Sequence, residues 1–198
     1  MDIKSVCFFS GGIRFLILYN VQETESLAAL LKDVQTRREA FPDLVKRYQR
    51  PVYGVVRKMV ISHDDADDIV QDVFVKVWHN IDKFKGESSL FTWIYRIATN
   101  ECLQFLRKKR NRQWLGGDVS KELAEKLVSD NFIDGDEVQM KLQKAILTLP
   151  DKQRLVFNLR YFEELSYEEI AAITDTSVGS LKASFHHATR KIEEFLQE

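Results

Sequence analysis

His63 to Asp68 set one imidazole beside four carboxylates (Asp64, Asp65, Asp67, Asp68), ligand types that a hard divalent cation takes in phosphohydrolases. No second histidine stands at ligand spacing, and no Gly-rich phosphate loop accompanies the run. At about 100° per residue the acids radiate from a helix start instead of converging. The pattern holds no cage for a metal and no site for a cofactor or small-molecule substrate. It predicts no catalytic residue, and the chain is not expected to be an enzyme. What remains is recognition by charge.

Asp64 to Phe74 contain five aspartates and no base. On the helix predicted there, from about Asp65 to Ile81, Ala66, Val70, Val73, Val77 and Ile81 form the inward stripe. The opposite side presents Asp68, Gln71, Asp72 and Val75, with Trp78 at its edge. A favourable helix dipole accounts for acids in the first turn, but not for Gln71, Asp72 and Val75 further along. A valine within an acidic outer face suits docking against a basic, partly apolar partner.

The next predicted helix, ending near Arg110, carries the opposite sign. Between Phe84 and Trp114 seven bases face two acids, a local net of +5. Leu90, Phe91, Ile94, Ala98 and Phe105 turn inward. Arg96, Asn100, Arg107 and Arg110 turn outward beside Trp93 and Thr99. Arginines with an amide and aromatics nearby suit phosphate contact and the holding of unstacked bases. Glu101 falls on the inner side, where its own neighbours offer no reason for it.

Near the C-terminus, Ser166-Tyr167-Glu168-Glu169 has the form of a capping box and predicts a helix start. A second helix follows with Ser177 as N-cap, and Leu181, Phe185, Ala188 and Ile192 as its buried stripe. Val178 to Ile192 hold three bases and no acid. Short helix, tight turn and basic second helix is the arrangement a DNA major groove admits. An ordinary helical hairpin with a solvated basic face shares the pattern. Asp175 stands in the turn and tolerates left-handed geometry.

These residues need a scaffold. The 198 residues are 44% hydrophobic and 30% charged, with a net charge of −1, so nucleic-acid binding must come from local patches. Glycine (8) and proline (3) are scarce and apolar positions recur at helical spacing, which predicts an all-α fold. Helices are expected over Ser26–Arg38, Phe41–Ile61 (disturbed at Pro51) and the two already placed, with a loop over Asp82–Ser89. Between Gly116 and Glu137 seven acids outnumber two bases. This reads as an acidic linker, 113–137, with a short helix near Leu123, between two small helical domains, 23–112 and 138–198. Cys7 and Cys102 form no C-x-x-C pair and fit a reducing, cytoplasmic setting. Residues 1–22 read as a flexible or non-native extension: the apolar stretch Ile13–Val21 is interrupted by Arg14 and is too short to span a bilayer.

Three runs in this order resemble the extracytoplasmic-function (ECF) sigma factors: DDADDIVQDVFVKVW (Asp64–Trp78), FKGESSLFTWIYRIATNECLQFLRKKR (Phe84–Arg110) and LPDKQRLVFNLRYFEELSYEEIAAITDTSVGSLKASFHHATRKI (Leu149–Ile192). The resemblance implies a sigma region 2 domain of four helices and a sigma region 4 helix-turn-helix domain joined by the linker. It implies that Asp68, Gln71, Asp72, Val75 and Trp78 dock on the clamp helices of the RNA polymerase core's largest subunit. It also implies that Phe84, Lys85, Ser88, Trp93, Arg96, Asn100, Arg107 and Arg110 open and hold the −10 element of promoter DNA. Ser180, Lys182, Ala183, Ser184, His187 and Arg190 would read the −35 duplex. An anti-sigma factor is the further partner implied. Ser184 and His187 stand where many members have basic residues, so phosphate attraction there is expected to be weaker. The competing reading is a one-component helix-turn-helix regulator with a ligand-sensing N-terminal domain. It calls for an apolar pocket in the first domain, whose distinctive residues instead lie on charged outer faces.

Overall fold

The computed structural model describes residues 21–112, 119–129 and 137–197, and among them every regular element is helical. The expectation for residues 1–20 lies outside the described residues. Val21 and Gln22 already belong to the first helix.

In the first half, α1 (Val21–Lys32), α2 (Arg37–Val60), α3 (His63–Asn80) and α4 (Leu90–Arg112) pack around one apolar core. The first helix ends at Lys32, earlier than the expected Arg38, because side chains further along satisfy its terminal carbonyls. Arg37 Nε donates to Leu31 O at 2.8 Å and Thr36 Oγ1 to Leu30 O at 2.7 Å. The same Arg37 pairs with Asp82 beyond α3, closing the end of the bundle. The second helix passes through Pro42 and Pro51 without a break, against the disturbance expected at Pro51. An interior proline costs about 3 kcal/mol. Burial of Val52, Val55, Val56 and Met59 just beyond it offsets that, at about 1.5–3 kcal/mol each.

Between α2 and α3 the chain reverses in two residues. Ile61, fully buried, takes φ 65°, an uncommon conformation for a β-branched residue, and its N–H still donates to Arg57 O. Ser62 then caps α3 by accepting from Asp65 N at 3.3 Å. Ser89 caps α4 in the same way, accepting from Thr92 N at 3.0 Å.

The stretch read as a linker contains α5 (Val119–Ser129), which lies against the first half. Leu123 and Leu127 are buried, and Lys126 Nζ donates to Ser62 Oγ at 3.0 Å. In the second half, α6 (Glu137–Leu147), α7 (Asp151–Tyr161), α8 (Tyr167–Thr174) and α9 (Val178–Gln197) enclose a smaller core around Phe157, whose ring stacks on Phe185 at 5.7 Å. The larger core continues across the seam between the halves: Leu155, Leu159, Leu165 and Ile173 belong to the same apolar cluster as the first half. No described helix is long and apolar enough to cross a membrane.

Candidate functional site

The third helix exposes the acidic side the pattern marks out. Asp68, Gln71 and Asp72 are exposed, and Val75 stands 53% open among them, while Ala66, Val70, Val73 and Val77 are buried beneath. Trp78 is half-buried, edge-on to Phe41 with ring centroids 4.9 Å apart, so α2 braces the rim of this face. His63 takes a different part from the one its acidic neighbours suggest. Its Nδ1 shares a 2.7 Å hydrogen bond with the Tyr53 hydroxyl, and Nε2 lies 3.6 Å from Asp67. Among the described residues no three His, Cys, Asp or Glu side chains converge as metal ligands would.

On α4 the outward residues divide. Lys85, Asn100 and Arg107 are exposed, and Ser88 and Trp93 are half-buried at the helix entrance. Lys85 lies 4.0 Å from Glu87 in a fully solvated pair, which contributes little. Phe84 departs from expectation. It is buried, with its ring 5.4 Å from that of Trp93 and Lys32 over its face, so it packs against Trp93 instead of standing open to solvent. The reason is local: the turn Ile81–Lys83 folds Phe84 back under α4, its N–H donating to Ile81 O. Thr99, expected outward, is also buried, because the second half covers a second side of α4. Phe105 is only half-buried, and Cys102 and Leu106 take the inner places. Glu101 acquires its reason here. It accepts an ion pair from Lys76 on α3, a partner the helix alone could not reveal.

Three further bases of α4 are engaged. Lys109 Nζ lies 2.9 Å from Glu122 of α5 and 3.2 Å from Asp65. Burial opposes its charge, but these two carboxylates outweigh burial and hold its pKa above the ordinary lysine value. Arg110 pairs with Asp151 on α7, and Arg96 donates to the carbonyl of Ala172 on α8. At the same seam Lys58 donates to Glu163 at 2.7 Å, and Asn158 Nδ2 to Lys58 O at 3.4 Å. Nothing in the pattern marks Lys58, Asp151, Arg154 or Glu163 as buried or half-buried, since a charged residue at any helix position reads as solvated until a partner is seen.

The second half builds the turn its residues encode. Glu169 N donates to Ser166 Oγ at 3.1 Å and Ser166 N to Glu169 Oε2 at 2.7 Å, a complete capping box. Asp175 ends α8 at φ 51°, ψ 44°, the left-handed cap that reverses the chain. Ser180 N donates to Ser177 Oγ at 3.3 Å, starting α9. Leu181, Ala188 and Ile192 are buried and Phe185 partly so. Ser180, Lys182, Ala183, His187 and Arg190 are exposed on one side, with Ser184 half-buried among them. Lys182 Nζ rests 5.8 Å from the centre of the Tyr167 ring, and Arg190 Nε donates to Glu194 at 2.9 Å.

A helical pair of this shape follows a four-helix half that carries one acidic and one basic outer face. Family models match both parts: Sigma-70 region 2 over residues 44–112 and Sigma-70 region 4 over residues 139–192. The chain is 32% identical over 170 residues to the ECF RNA polymerase sigma factor SigW of Bacillus subtilis, covering 81% of this chain and 91% of that protein. It is 35% identical over 179 residues to the ECF RNA polymerase sigma-E factor of Haemophilus influenzae, covering 85% and 94%. This chain belongs to the ECF-type RNA polymerase sigma factors. The folds of solved structures agree with this sigma factor's. CnrH in complex with the cytosolic domain of CnrY matches 88% of this chain and 97% of its own with a TM-score of 0.65 at 24% identity. The sigma factor RpoE of Bartonella quintana in complex with the anti-sigma factor NepR matches 79% and 96% with a TM-score of 0.58 at 23% identity.

Proposed function

We propose that this sigma factor divides its work between the two halves by charge. Asp68, Gln71, Asp72, Val75 and Trp78 dock on the clamp helices of core polymerase. Lys85, Ser88, Trp93, Arg96, Asn100, Arg107 and Arg110 open and hold the −10 element. Ser180, Lys182, Ala183, Ser184, His187 and Arg190 read the −35 duplex. The observation that carries this reading is the separation of sign: an exposed carboxylate face on α3 against exposed bases on α4 and α9. Capturing an unstacked base exchanges stacking, a few kcal/mol, for pocket contacts, so the protein needs neither a catalytic group nor a cofactor. It works in the cytoplasm. Two fold relatives were solved in complex with CnrY and with the anti-sigma factor NepR, which supports an inhibitory protein partner here too.

The test is transcription in vitro with sigma-free core polymerase on a promoter library. Selective initiation from a common pair of −35 and −10 sequences is expected. Binding to an operator duplex without core, and no initiation with it, would favour the ligand-sensing regulator instead.

A further inference from the structure

A lysine in the last turn of a helix ordinarily serves the terminal carbonyls. At the end of α1 those carbonyls are already taken. Thr36 Oγ1 donates to Leu30 O, Arg37 Nε to Leu31 O, and Arg37 Nη2 to Lys32 O at 3.3 Å. The acids at hand are engaged as well: Asp33 accepts from Gln35 N at 2.9 Å, and Asp82 pairs with Arg37. Lys32 is exposed and has no carboxylate partner among the described residues. Its ammonium reaches off its own helix. Nζ lies 5.4 Å from the centre of the Phe84 ring and 3.8 Å from the point a Cβ on Gly86 would occupy. The Phe84 ring also backs Trp93, at 5.4 Å. A cation from α1 therefore stands at the loop before α4, beside the indole at the helix entrance. Arg37, bound both to the end of α1 and to Asp82, holds that end of the helix against the turn leading into the loop.

Other lysines lie over rings, and the comparison sets this one apart. Lys58 lies over Phe162 and Lys109 over Phe105, but each also holds a carboxylate. Lys32 over Phe84 and Lys182 over Tyr167 are exposed and hold none among the described residues. An aromatic face keeps such a cation in place without neutralising it. Lys182 belongs to the set read as facing the −35 duplex; Lys32 has the same character at the other end of the molecule's DNA path.

We propose that Lys32 contacts a phosphate of the unpaired −10 strand, with Phe84 as the platform that presents it. This rests on the reading of the loop before α4, with Trp93 and Asn100, as the −10 site. An exposed cation–π contact is weak beside a charge-assisted hydrogen bond to phosphate, so the ammonium passes to the strand when it arrives. Phe84, itself buried, contributes through the cation it carries.

The test uses holoenzyme and a labelled promoter from the library with its −10 element left unpaired, read by fluorescence anisotropy over a range of salt. Lys32→Met keeps an apolar stem on Phe84 and removes the charge. It is expected to weaken binding severalfold and to lower the slope of log affinity against log salt by about 0.7, the single-strand value for one phosphate. Lys32→Arg should restore both, and capture of core and the thermal midpoint should not change. One neutral methylphosphonate linkage in the unpaired strand should erase the difference between Lys32→Met and the unmodified chain. An unchanged slope, a difference that survives at every linkage, or a parallel loss of core capture would each overturn the contact. Asn100→Ala on the same template separates the two readings. If it weakens binding while Lys32→Met does not, the Lys32 contact fails alone. If neither does, the −10 reading of the entrance to α4 fails with it.

Discussion

Lys58 on α2 and Glu163 after α7, 105 residues apart in the chain, form a 2.7 Å ion pair whose lysine is 26% and whose glutamate is 1% exposed. The pair crosses the seam between the two halves. Its carboxylate has given up water for one cation, while its second oxygen has no partner among the described residues. Removing one member of a buried pair costs about 3–5 kcal/mol. That cost is capped here, because Glu163 regains water if the halves separate. Lys58→Met is therefore expected to lower stability by about 2–3 kcal/mol, read as a lower urea midpoint by circular dichroism. A midpoint equal to that of the unmodified chain would show that the pair is not formed in solution.

The acidic side of α3 lies outside the core, so its charge can be inverted without touching the packing. Asp68→Arg with Asp72→Arg is expected to abolish capture of core polymerase in a pull-down. The helical signal and thermal midpoint should stay close to those of the unmodified protein, since surface changes are usually worth within about 0.5 kcal/mol. Undiminished capture would show that polymerase docks elsewhere.

On α9, Lys182 is exposed and rests near the Tyr167 ring, from which a phosphate can draw it. Lys182→Ala is expected to weaken binding of the holoenzyme to −35 duplex and to reduce the slope of log affinity against log salt by about one. A weaker complex with an unchanged slope would mean that Lys182 reads a base edge, not a phosphate.

Burial pushes the Cys102 thiol up from its usual 9.0 to about 12, the nearby Arg154 opposing and Glu101 assisting. The folded protein then keeps a proton that the unfolded chain releases above pH 9. Stability is fully present below that value and falls as pH rises toward 12, at up to 1.4 kcal/mol per pH unit for one group. Tyr95, also raised by burial, adds to the loss in the same direction. Cys102→Ala is expected to flatten the decline between pH 9 and 11 in urea titrations. The native thiol should also resist alkylation at pH 8 until the protein is unfolded.

The residues by themselves determined whatever depends on near neighbours. The capping box at Ser166, the left-handed Asp175, the cap at Ser177 and the buried stripes of α3 and α9 each follow from chemistry within four residues, and the structure places them so. The exposed acidic face of α3 was equally legible, because a helix period separates what its own half buries from what it leaves out. Tertiary structure decided what distant segments bring. Thr99 is buried because α8 covers a second side of α4, and Glu101 is explained by Lys76 on another helix. Phe84 lies in a loop, where no period exists to say which way a ring turns. Arg96 and Arg110 look like free cations in the chain and hold partners 76 and 41 residues away in the fold. A helical pattern records only whether a position faces its own core. It holds no trace of a second half closing over the opposite side, because charged groups satisfied by one another and charged groups satisfied by water are written with the same residues.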